Sequence, residues 1–126
     1  MTEATQQHRS ASTLGQVVAV LSKLQEETGN PTMPLQQVRT FLHVALHGEV
    51  PQASLEEATG VEQSSVSRNV ALLGPGLSPA EPGYGLIESL PDPWNRKRNL
   101  VRLTQRGKAL AWDIQQAAAL HVKESS

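Results

Sequence analysis

The sequence predicts a mainly α-helical domain with a small β-hairpin, and three observations predict this fold class. Apolar residues recur at helical spacing near both ends of the chain. A central segment has the composition of two short helices joined by a tight turn. Two short runs of strand-forming residues then flank the charged segment PDPWNRKRN. A chain of 126 residues is long enough for one domain with a buried core.

Two helices are predicted in the first half of the chain. Residues 1–11 are polar and lack periodicity, so we expect a disordered N-terminal tail. A helix over 12–28 can be capped by Ser12 or Thr13. Its apolar residues recur at helical spacing: Leu14, Val17, Val18, Leu21 and Leu24. A second helix is predicted over 34–47, because proline suits its first position and glycine follows its end.

The segment over 54–73, SLEEATGVEQSSVSRNVALL, predicts a helix-turn-helix. Ser54 and Glu57 have the spacing of a capping box, in which each side chain accepts a hydrogen bond from the other's backbone N–H. Gly60 permits the tight turn. The inner face of the second helix is expected to carry the apolar residues Val66, Val70 and Leu73.

The rest of the chain is predicted to contain a loop, a hairpin and one more helix. Residues 74–85 hold four glycines and three prolines, a composition that is incompatible with a helix. The runs LIESL and LVRLT predict a hairpin over 86–103, with the charged segment at its tip. The last helix is predicted over 105–122 and can be capped by Thr104.

This order of elements is that of a winged-helix domain, in which the hairpin is the wing, and the motifs resemble those of the MarR family. DPWNRKRNLVRLTQRG is similar to the family's wing, and GLIE is similar to the start of that wing. ATGVEQSSVSR is similar to the family's turn and recognition helix. The resemblance covers residues from about 14 to 122. It implies a winged helix-turn-helix fold and a DNA-binding transcriptional regulator, most simply a dimeric repressor that occludes a promoter.

The sequence departs from the family pattern at four places. Asn95 stands where the family has a second wing acid. Glu62 stands where serine or threonine usually caps the recognition helix. The loop over 74–85 is longer than in the family, and the segment after Thr104 is shorter. The wing motif, which matches in register, is the most specific part of the resemblance.

The predicted recognition helix has a polar face that suits DNA. DNA binding requires cations for phosphates and short or forked donors for base edges. Ser64 and Arg68 lie one helical turn apart, with Ser65 and Ser67 beside them. The hydroxyls allow a close approach, and Arg68 can donate two hydrogen bonds to guanine. The alternative is an ordinary solvated face, which the neighbouring wing disfavours.

The predicted wing concentrates positive charge in a chain whose net formal charge is −1. A hairpin tip can reach the minor groove, whose negative potential suits arginine. We predict Arg96 as the tip contact, with Lys97 and Arg98 on flanking phosphates and Arg102 as a phosphate contact or a solvated charge. A purely solvated charge run is the alternative. The predicted DNA-binding residues are Ser64, Ser65, Ser67, Arg68, Asn95, Arg96, Lys97, Arg98 and Arg102.

Two tryptophans and two histidines have competing interpretations. Trp94 can wedge at a base step or pin the wing to its own domain, and we expect the second because its ring is amphipathic. Trp112 is expected to pack within the domain or at a dimer interface. His43 and His47 have a spacing that can hold zinc, but no third ligand lies nearby in the sequence, so we expect surface histidines.

Composition narrows the classes of function. The chain has no cysteine, which excludes a disulfide framework and a cysteine zinc site. No phosphate-binding glycine loop and no catalytic motif occurs, so we expect neither an enzyme nor a cofactor. The start of the chain lacks a secretory signal and no apolar run could span a bilayer, so we expect a cytoplasmic protein.

The expected partners are double-stranded DNA and a second copy of the chain. The first and last helices both carry an apolar stripe, which favours a homodimer on a palindromic site, although the stripes could also close the core of the monomer. Two other functions stay open: a winged-helix protein-interaction module, and a replication or partition protein of a phage or plasmid. The sequence does not identify a small-molecule effector.

Overall fold

The computed structural model describes the backbone of residues 2–125 and the side chains of residues 12–120. The chain forms two compact units, one made of Met1–Thr32 with Ala109–Ser126 and one made of Met33–Lys108. Within residues 2–125, no helix has both the length and the apolar character that a membrane crossing requires.

The described part of the chain contains five helices and five strands. The helices are α1 (Thr2–Thr28), α2 (Leu35–His47), α3 (Ser54–Thr59), α4 (Gln63–Leu73) and α5 (Gln105–Ser125). The strands are β1 (Glu49–Pro51), β2 (Gly76–Ser78), β3 (Glu81–Pro82), β4 (Ile87–Asp92) and β5 (Asn95–Leu103). Helices dominate, so the predicted mainly α-helical class with a small antiparallel sheet is confirmed.

The terminal unit consists of α1 and most of α5. The side-chain amide Nε2 of Gln16 donates a hydrogen bond to the backbone oxygen of Ala118 at 3.3 Å, which ties the two helices together. Helix α1 starts at Thr2, so the predicted helix boundary at residue 12 and the predicted caps at Ser12 and Thr13 are wrong. The backbone of residues 2–11 is helical where the sequence predicts a disordered tail.

The central unit is built around α2. The side chains of Phe41 and Val44 on this helix are fully buried. The helix ends at Gly48, whose positive φ of 82° suits glycine and whose N–H donates to the oxygen of Val44 at 2.7 Å. The amide of Asn69 on α4 donates to the side-chain oxygen of Gln36 at 3.3 Å. This contact, together with apolar packing, orients α4 against α2.

The helix-turn-helix forms where the sequence predicts it, as α3 and α4. The side chains of Leu55, Val66, Val70 and Leu73 are buried, so the predicted inner face is confirmed. The predicted capping box at Ser54 is wrong. The hydroxyl of Ser54 donates to the oxygen of Pro51 at 2.7 Å, and α3 has no side-chain cap. The reason is that Ala53 already has helical dihedrals, which places Ser54 inside the first turn.

The wing belongs to a three-stranded antiparallel sheet with the order β1, β5, β4. Strand β1 pairs Val50 with Val101 of β5, and Ile87 of β4 pairs with Leu103. The side chains of these four residues are buried, so one face of the sheet covers the core. The sequence predicts the two strands of the hairpin but not the third strand of the sheet, β1. That strand is only three residues long and ends at a proline.

The segment predicted as a loop over 74–85 contains the hairpin β2–β3. It returns to the end of α4 through backbone hydrogen bonds. The N–H groups of Tyr84, Gly85 and Leu86 donate to the oxygens of Leu72, Gly74 and Leu73 at 3.0, 2.9 and 2.8 Å. This expectation is corrected because glycine and proline exclude a helix without excluding a short hairpin.

Thr104 caps the last helix, as the sequence predicts. Its hydroxyl oxygen accepts a hydrogen bond from the N–H of Gly107 at 3.1 Å and donates to the oxygen of Gly85 at 2.6 Å. A side chain at Gly107 would collide with the backbone oxygen of Leu86. The glycine is therefore required by the close approach of α5 to the start of the wing.

Candidate nucleic-acid interface

Helix α4 presents a polar face to solvent. The side chains of Ser64, Ser67 and Arg68 are exposed, and that of Ser65 is half-buried. The spacing of the buried apolar residues in this helix places Ser64 and Arg68 on the opposite side, with Ser65 and Ser67 at its flanks. The four residues that the sequence predicts therefore differ in accessibility, and Ser65 is the least accessible of them.

Gln52 connects α4 to both strands of the wing. Its backbone N–H donates to the oxygen of Asn99 at 2.9 Å. Its side-chain Nε2 donates to the hydroxyl of Ser67 at 3.4 Å, and its Oε1 accepts from the hydroxyl of Ser89 at 3.1 Å. Sequence reasoning missed this residue, because a lone glutamine before a helix carries no motif.

The tip of the wing is organised around the carboxylate of Asp92, whose side chain is only 2% exposed. This carboxylate accepts from the backbone N–H of Trp94 at 2.9 Å and from the Nε of Arg98 at 2.8 Å. The Nη2 of Arg98 lies 2.6 Å from the same group. The backbone N–H of Trp94 lowers the pKa of Asp92, burial raises it, and Arg98 lowers it further. The net direction is downward, so Asp92 is an ionised internal anchor.

Two of the predicted phosphate contacts have internal partners. Arg98 binds Asp92, so its guanidinium shapes the tip. Arg102 donates from Nε to Glu88 at 2.7 Å, directly across the β4–β5 pair. Asn95 accepts the backbone N–H of Lys97 at 3.2 Å, which shapes the turn. The sequence does not reveal the two ion pairs, because one depends on the geometry of the turn and the other on the register of β4 and β5.

Arg96 and Lys97 differ from their neighbours. Both side chains are exposed, and within the described part of the chain neither forms an ion pair or a hydrogen bond. They lie at the beginning of β5, next to the tip that Asp92 holds. The wing therefore presents two available cations on a fixed turn.

A groove of about 170 Å³ lies between the wing and the helix-turn-helix. Its walls include Gln63 and Val66 of α4 on one side and Lys97 and Arg98 of β5 on the other. The start of the recognition helix and the charged part of the wing are therefore neighbours on one side of the central unit. Geometry of this kind lets one ligand contact both elements.

The tryptophan predictions have different outcomes. Trp94 is 94% exposed, so it does not pin the wing to the domain and that expectation is wrong. The Asp92 carboxylate holds the tip through the backbone N–H of Trp94, and the indole ring takes no part in that contact. Trp112 is 63% exposed, so its ring has no full packing site within the chain.

The histidine pair lies on α2. The ring centroids of His43 and His47 are 4.5 Å apart. Burial lowers the pKa of His43, and the neighbouring His47 lowers it further. Among residues 12–120, no group of three or more histidine, cysteine, aspartate or glutamate side chains is arranged to hold a metal ion.

Solved structures share this architecture over most of the chain. RV1404 from Mycobacterium tuberculosis is 26% identical, with a TM-score of 0.65 over 98% of this chain and 76% of that one. MarR is 20% identical, with a TM-score of 0.59 over 86% of this chain and 69% of its own. The transcriptional regulator PA4135 is 17% identical, with a TM-score of 0.58 over 98% and 79%.

No family model matches the sequence, and no curated protein is significantly similar to it. The likeness to known proteins is therefore a likeness of fold. The chain has the winged helix-turn-helix fold of MarR, and the fold predicted from the wing motif is confirmed.

Proposed function

We propose that the protein is a transcriptional regulator that binds double-stranded DNA, with α4 in the major groove and the wing in the minor groove. One observation carries the proposal. Arg96 and Lys97 are the wing cations without internal partners among the described residues, and they lie on a turn fixed by Asp92. A protein gains little stability from two exposed, unpaired cations, whereas a phosphate backbone binds them strongly.

The recognition helix supplies the second part of the interface. Arg68 can reach a guanine edge, while Ser64 on the preceding turn can donate to a phosphate. Ser67 accepts a hydrogen bond from Gln52, which leaves its own proton for a phosphate oxygen. Ser65 is half-buried and contributes least.

Arg96 is the proposed minor-groove contact, and Lys97 neutralises an adjacent phosphate. Arg98 positions the tip through Asp92, and its exposed edge lies beside the groove. Arg102 is balanced by Glu88, so we assign it to strand pairing. These assignments divide the four cations of the wing into two that bind DNA and two that support them.

A homodimer completes the proposal. Among the described side chains, α1 and α5 carry large apolar groups that are exposed: Leu14, Val17, Val18, Leu21, Trp112 and Leu120. Exposed apolar side chains on these two helices favour association with a second copy, and a two-fold dimer binds two half-sites. Occlusion of a promoter by this dimer is the simplest regulatory action.

Two solved structures support a regulatory role. PA4135 is a transcriptional regulator. BpsR from Bordetella bronchiseptica, whose DNA binding is regulated by 6-hydroxynicotinic acid, is 19% identical with a TM-score of 0.53 over 87% of this chain and 77% of its own. The shared fold supports DNA as the partner, and the groove residues of this chain supply their own chemical reason for it.

The proposal is tested by fluorescence anisotropy with a labelled mixed-sequence duplex at several salt concentrations. Log affinity should fall linearly with log salt, by about 0.9 for each phosphate neutralised. The variant Arg96→Ala/Lys97→Ala should reduce the slope by up to about 1.8, which corresponds to two phosphates. Lys23→Ala is the control, because it removes an exposed cation of α1 that pairs with Glu26 at 3.5 Å.

Three outcomes are distinguishable. A shallower slope for the wing variant with an unchanged slope for Lys23→Ala supports the proposal. Equal slopes for all three proteins would remove the wing from the interface. Absence of salt-dependent binding by the wild type at low ionic strength would overturn DNA binding and favour a protein-interaction module.

A further inference from the structure

The hairpin β2–β3 places an acidic residue beside Arg68 of the recognition helix. Oε2 of Glu81 in β3 lies 3.7 Å from Nη2 of Arg68 in α4. The side chains are 58% and 60% exposed, respectively, so solvent and other charges reach both of them. The arginine that best suits a base edge is therefore the one that has an acid beside it in the free protein.

The position of Glu81 is fixed by the backbone. The hairpin starts directly after α4, and three backbone hydrogen bonds return its far end to Leu72, Leu73 and Gly74. A side chain at Gly83 would collide with the backbone oxygen of Gly74, so the two segments touch. Within the turn, the N–H of Glu81 donates to the hydroxyl of Ser78 at 3.2 Å. The fold of the hairpin β2–β3 therefore holds the acid near Arg68.

An acid at this place has a defined electrostatic consequence. Phosphates that approach Arg68 must compete with the carboxylate of Glu81 and are also repelled by it. Phosphate contacts dominate non-specific binding, and each phosphate carries a full negative charge. A base edge donates and accepts hydrogen bonds without such a charge. The acid therefore weakens non-specific binding more than it weakens a contact between Arg68 and a base edge.

We propose that Glu81 is a specificity-determining residue that suppresses non-specific phosphate binding by Arg68. This inference rests on the proposed function, since it requires that α4 contacts DNA. It gives the insert over 74–85 a role: the hairpin carries one acid to the recognition helix. Glu81 contacts Arg68 and acts through it, so its effect on DNA depends on the arginine.

The test is a double-mutant cycle on the full chain, with a labelled mixed-sequence duplex as the probe. The proteins are the wild type, Glu81→Gln, Arg68→Ala and the double variant. Glu81→Gln should bind about two- to fivefold more tightly than the wild type at low salt, since exposed charge pairs have effects of this size. Its salt slope should be steeper by up to about 0.9, equivalent to one additional phosphate.

The Arg68→Ala background separates a specific effect from a general one. There, Glu81→Gln should change the affinity by less than it does with Arg68 present, because the acid then has no guanidinium to occupy. Glu26→Gln is the matched control, since it removes the same charge from an exposed lysine pair on α1. Glutamine keeps the backbone contact to Ser78, so the hairpin is expected to stay folded. Circular dichroism of each variant checks this directly.

Each result supports or overturns the proposal. Tighter binding that depends on Arg68 supports it. Tighter binding of equal size in both backgrounds overturns it in favour of a general charge effect, and unchanged or weaker binding of Glu81→Gln overturns it outright. Neither of the two overturning results affects the proposed function, because the wild type still binds DNA in both cases. Absence of salt-dependent binding by the wild type overturns the proposed function and this inference together.

Discussion

The wing tip and the recognition helix both contain an arginine paired with an acid, but the two pairs have opposite character. At the tip, Asp92 is 2% exposed and lies 2.6 Å from Arg98. On the helix, Glu81 is 58% exposed and lies 3.7 Å from Arg68. A buried acid that also accepts a backbone N–H fixes the fold, whereas an exposed acid at the longer distance leaves its arginine free to exchange partners.

The comparison divides the positive charge of the central unit by role. Arg98 supports the turn on which Arg96 and Lys97 are presented. Arg68 is held next to an acid and is exchangeable. Among the described residues, the cations Arg96 and Lys97 of the wing have no neighbouring acid that competes with a phosphate, whereas Arg68 of the helix has Glu81. We therefore expect the wing to provide most of the non-specific affinity and the helix to provide most of the discrimination.

Removal of the buried acid should have the largest effect. Asp92→Ala deletes the acceptor for the N–H of Trp94 and for Arg98, so the tip loses its fixed turn and Arg98 loses its partner. We expect mixed-sequence DNA affinity to fall about tenfold, the loss typical of one groove arginine, and the unfolding temperature to fall as well. Anisotropy and thermal melting measure the two effects. An unchanged affinity would show that the geometry of the tip does not matter for DNA.

The same carboxylate predicts a dependence of stability on pH. The pKa of Asp92 is lowered from its ordinary value of 3.8, first by the Trp94 N–H and also by Arg98, against the opposing effect of burial. The folded state therefore binds this proton less well than the unfolded chain does. The ionised group stabilises the fold above pH 3.8, and this contribution is lost as pH falls through the folded pKa.

Asp92→Asn isolates this contribution, because it keeps an acceptor and removes the charge. The difference in unfolding free energy between the wild type and Asp92→Asn should be largest near neutral pH and should shrink below pH 3.8. Urea titrations at several pH values measure it. Asp113→Asn, at an exposed position on α5, is the control. A difference that stays constant into the acid range would contradict an ionised anchor.

Gln52 tests whether the two regions act together. Gln52→Ala removes the side-chain hydrogen bonds to Ser67 and Ser89, and we expect a stability loss of about 1 kcal/mol because each partly exposed hydrogen bond contributes modestly. DNA affinity should fall about threefold, equivalent to about 0.65 kcal/mol of lost alignment. The salt slope should not change, because no phosphate contact is lost.

The control for this variant is Gln16→Ala, which removes one glutamine hydrogen bond between α1 and α5. Stability should fall in both variants, but affinity measured for an equal amount of dimer should fall only for Gln52→Ala. A reduced salt slope for Gln52→Ala would mean that the wing had moved off the DNA, so the connection would be essential for the wing to bind.

Much of the fold could be predicted from the sequence because the signals are local. The apolar spacing of α4, the cap at Thr104 and the wing motif each depend on residues close together in the chain. The sequence predicts that the candidate site lies on the recognition helix and the wing, but it does not predict which cations have internal partners. Arg96 and Arg98 look equivalent in the sequence, yet only the second lies against Asp92, and the difference follows from the turn geometry.

The features that could not be predicted depend on distant contacts or on marginal local signals. Strand β1 is three residues long and exists only because β5 lies beside it. The pairing of Arg68 with Glu81 needs the hairpin inside a segment rich in glycine and proline. The amphipathic character of the Trp94 ring did not predict its burial, because the ring is exposed. The neighbouring carboxylate of Asp92 fixes the backbone of the tip instead.

The smallest effect is expected for Glu88→Gln, which provides the sharpest contrast with Glu81→Gln. Glu88 accepts from Arg102 at 2.7 Å, and the two residues face each other across β4 and β5. The side chains of Arg102 and Glu88 are 49% and 41% exposed, so the lost stability should be below about 0.5 kcal/mol after screening by solvent. Affinity for mixed-sequence DNA should stay within about twofold of the wild type, and the salt slope should not change, because Arg102 supports strand pairing.

Side-by-side anisotropy titrations of the two glutamine variants measure the contrast. If Glu88→Gln steepens the slope as much as Glu81→Gln does, then Arg102 is a third available cation of the wing. The distinction between paired and unpaired cations would then have to be based on distance from the DNA instead of on internal ion pairs.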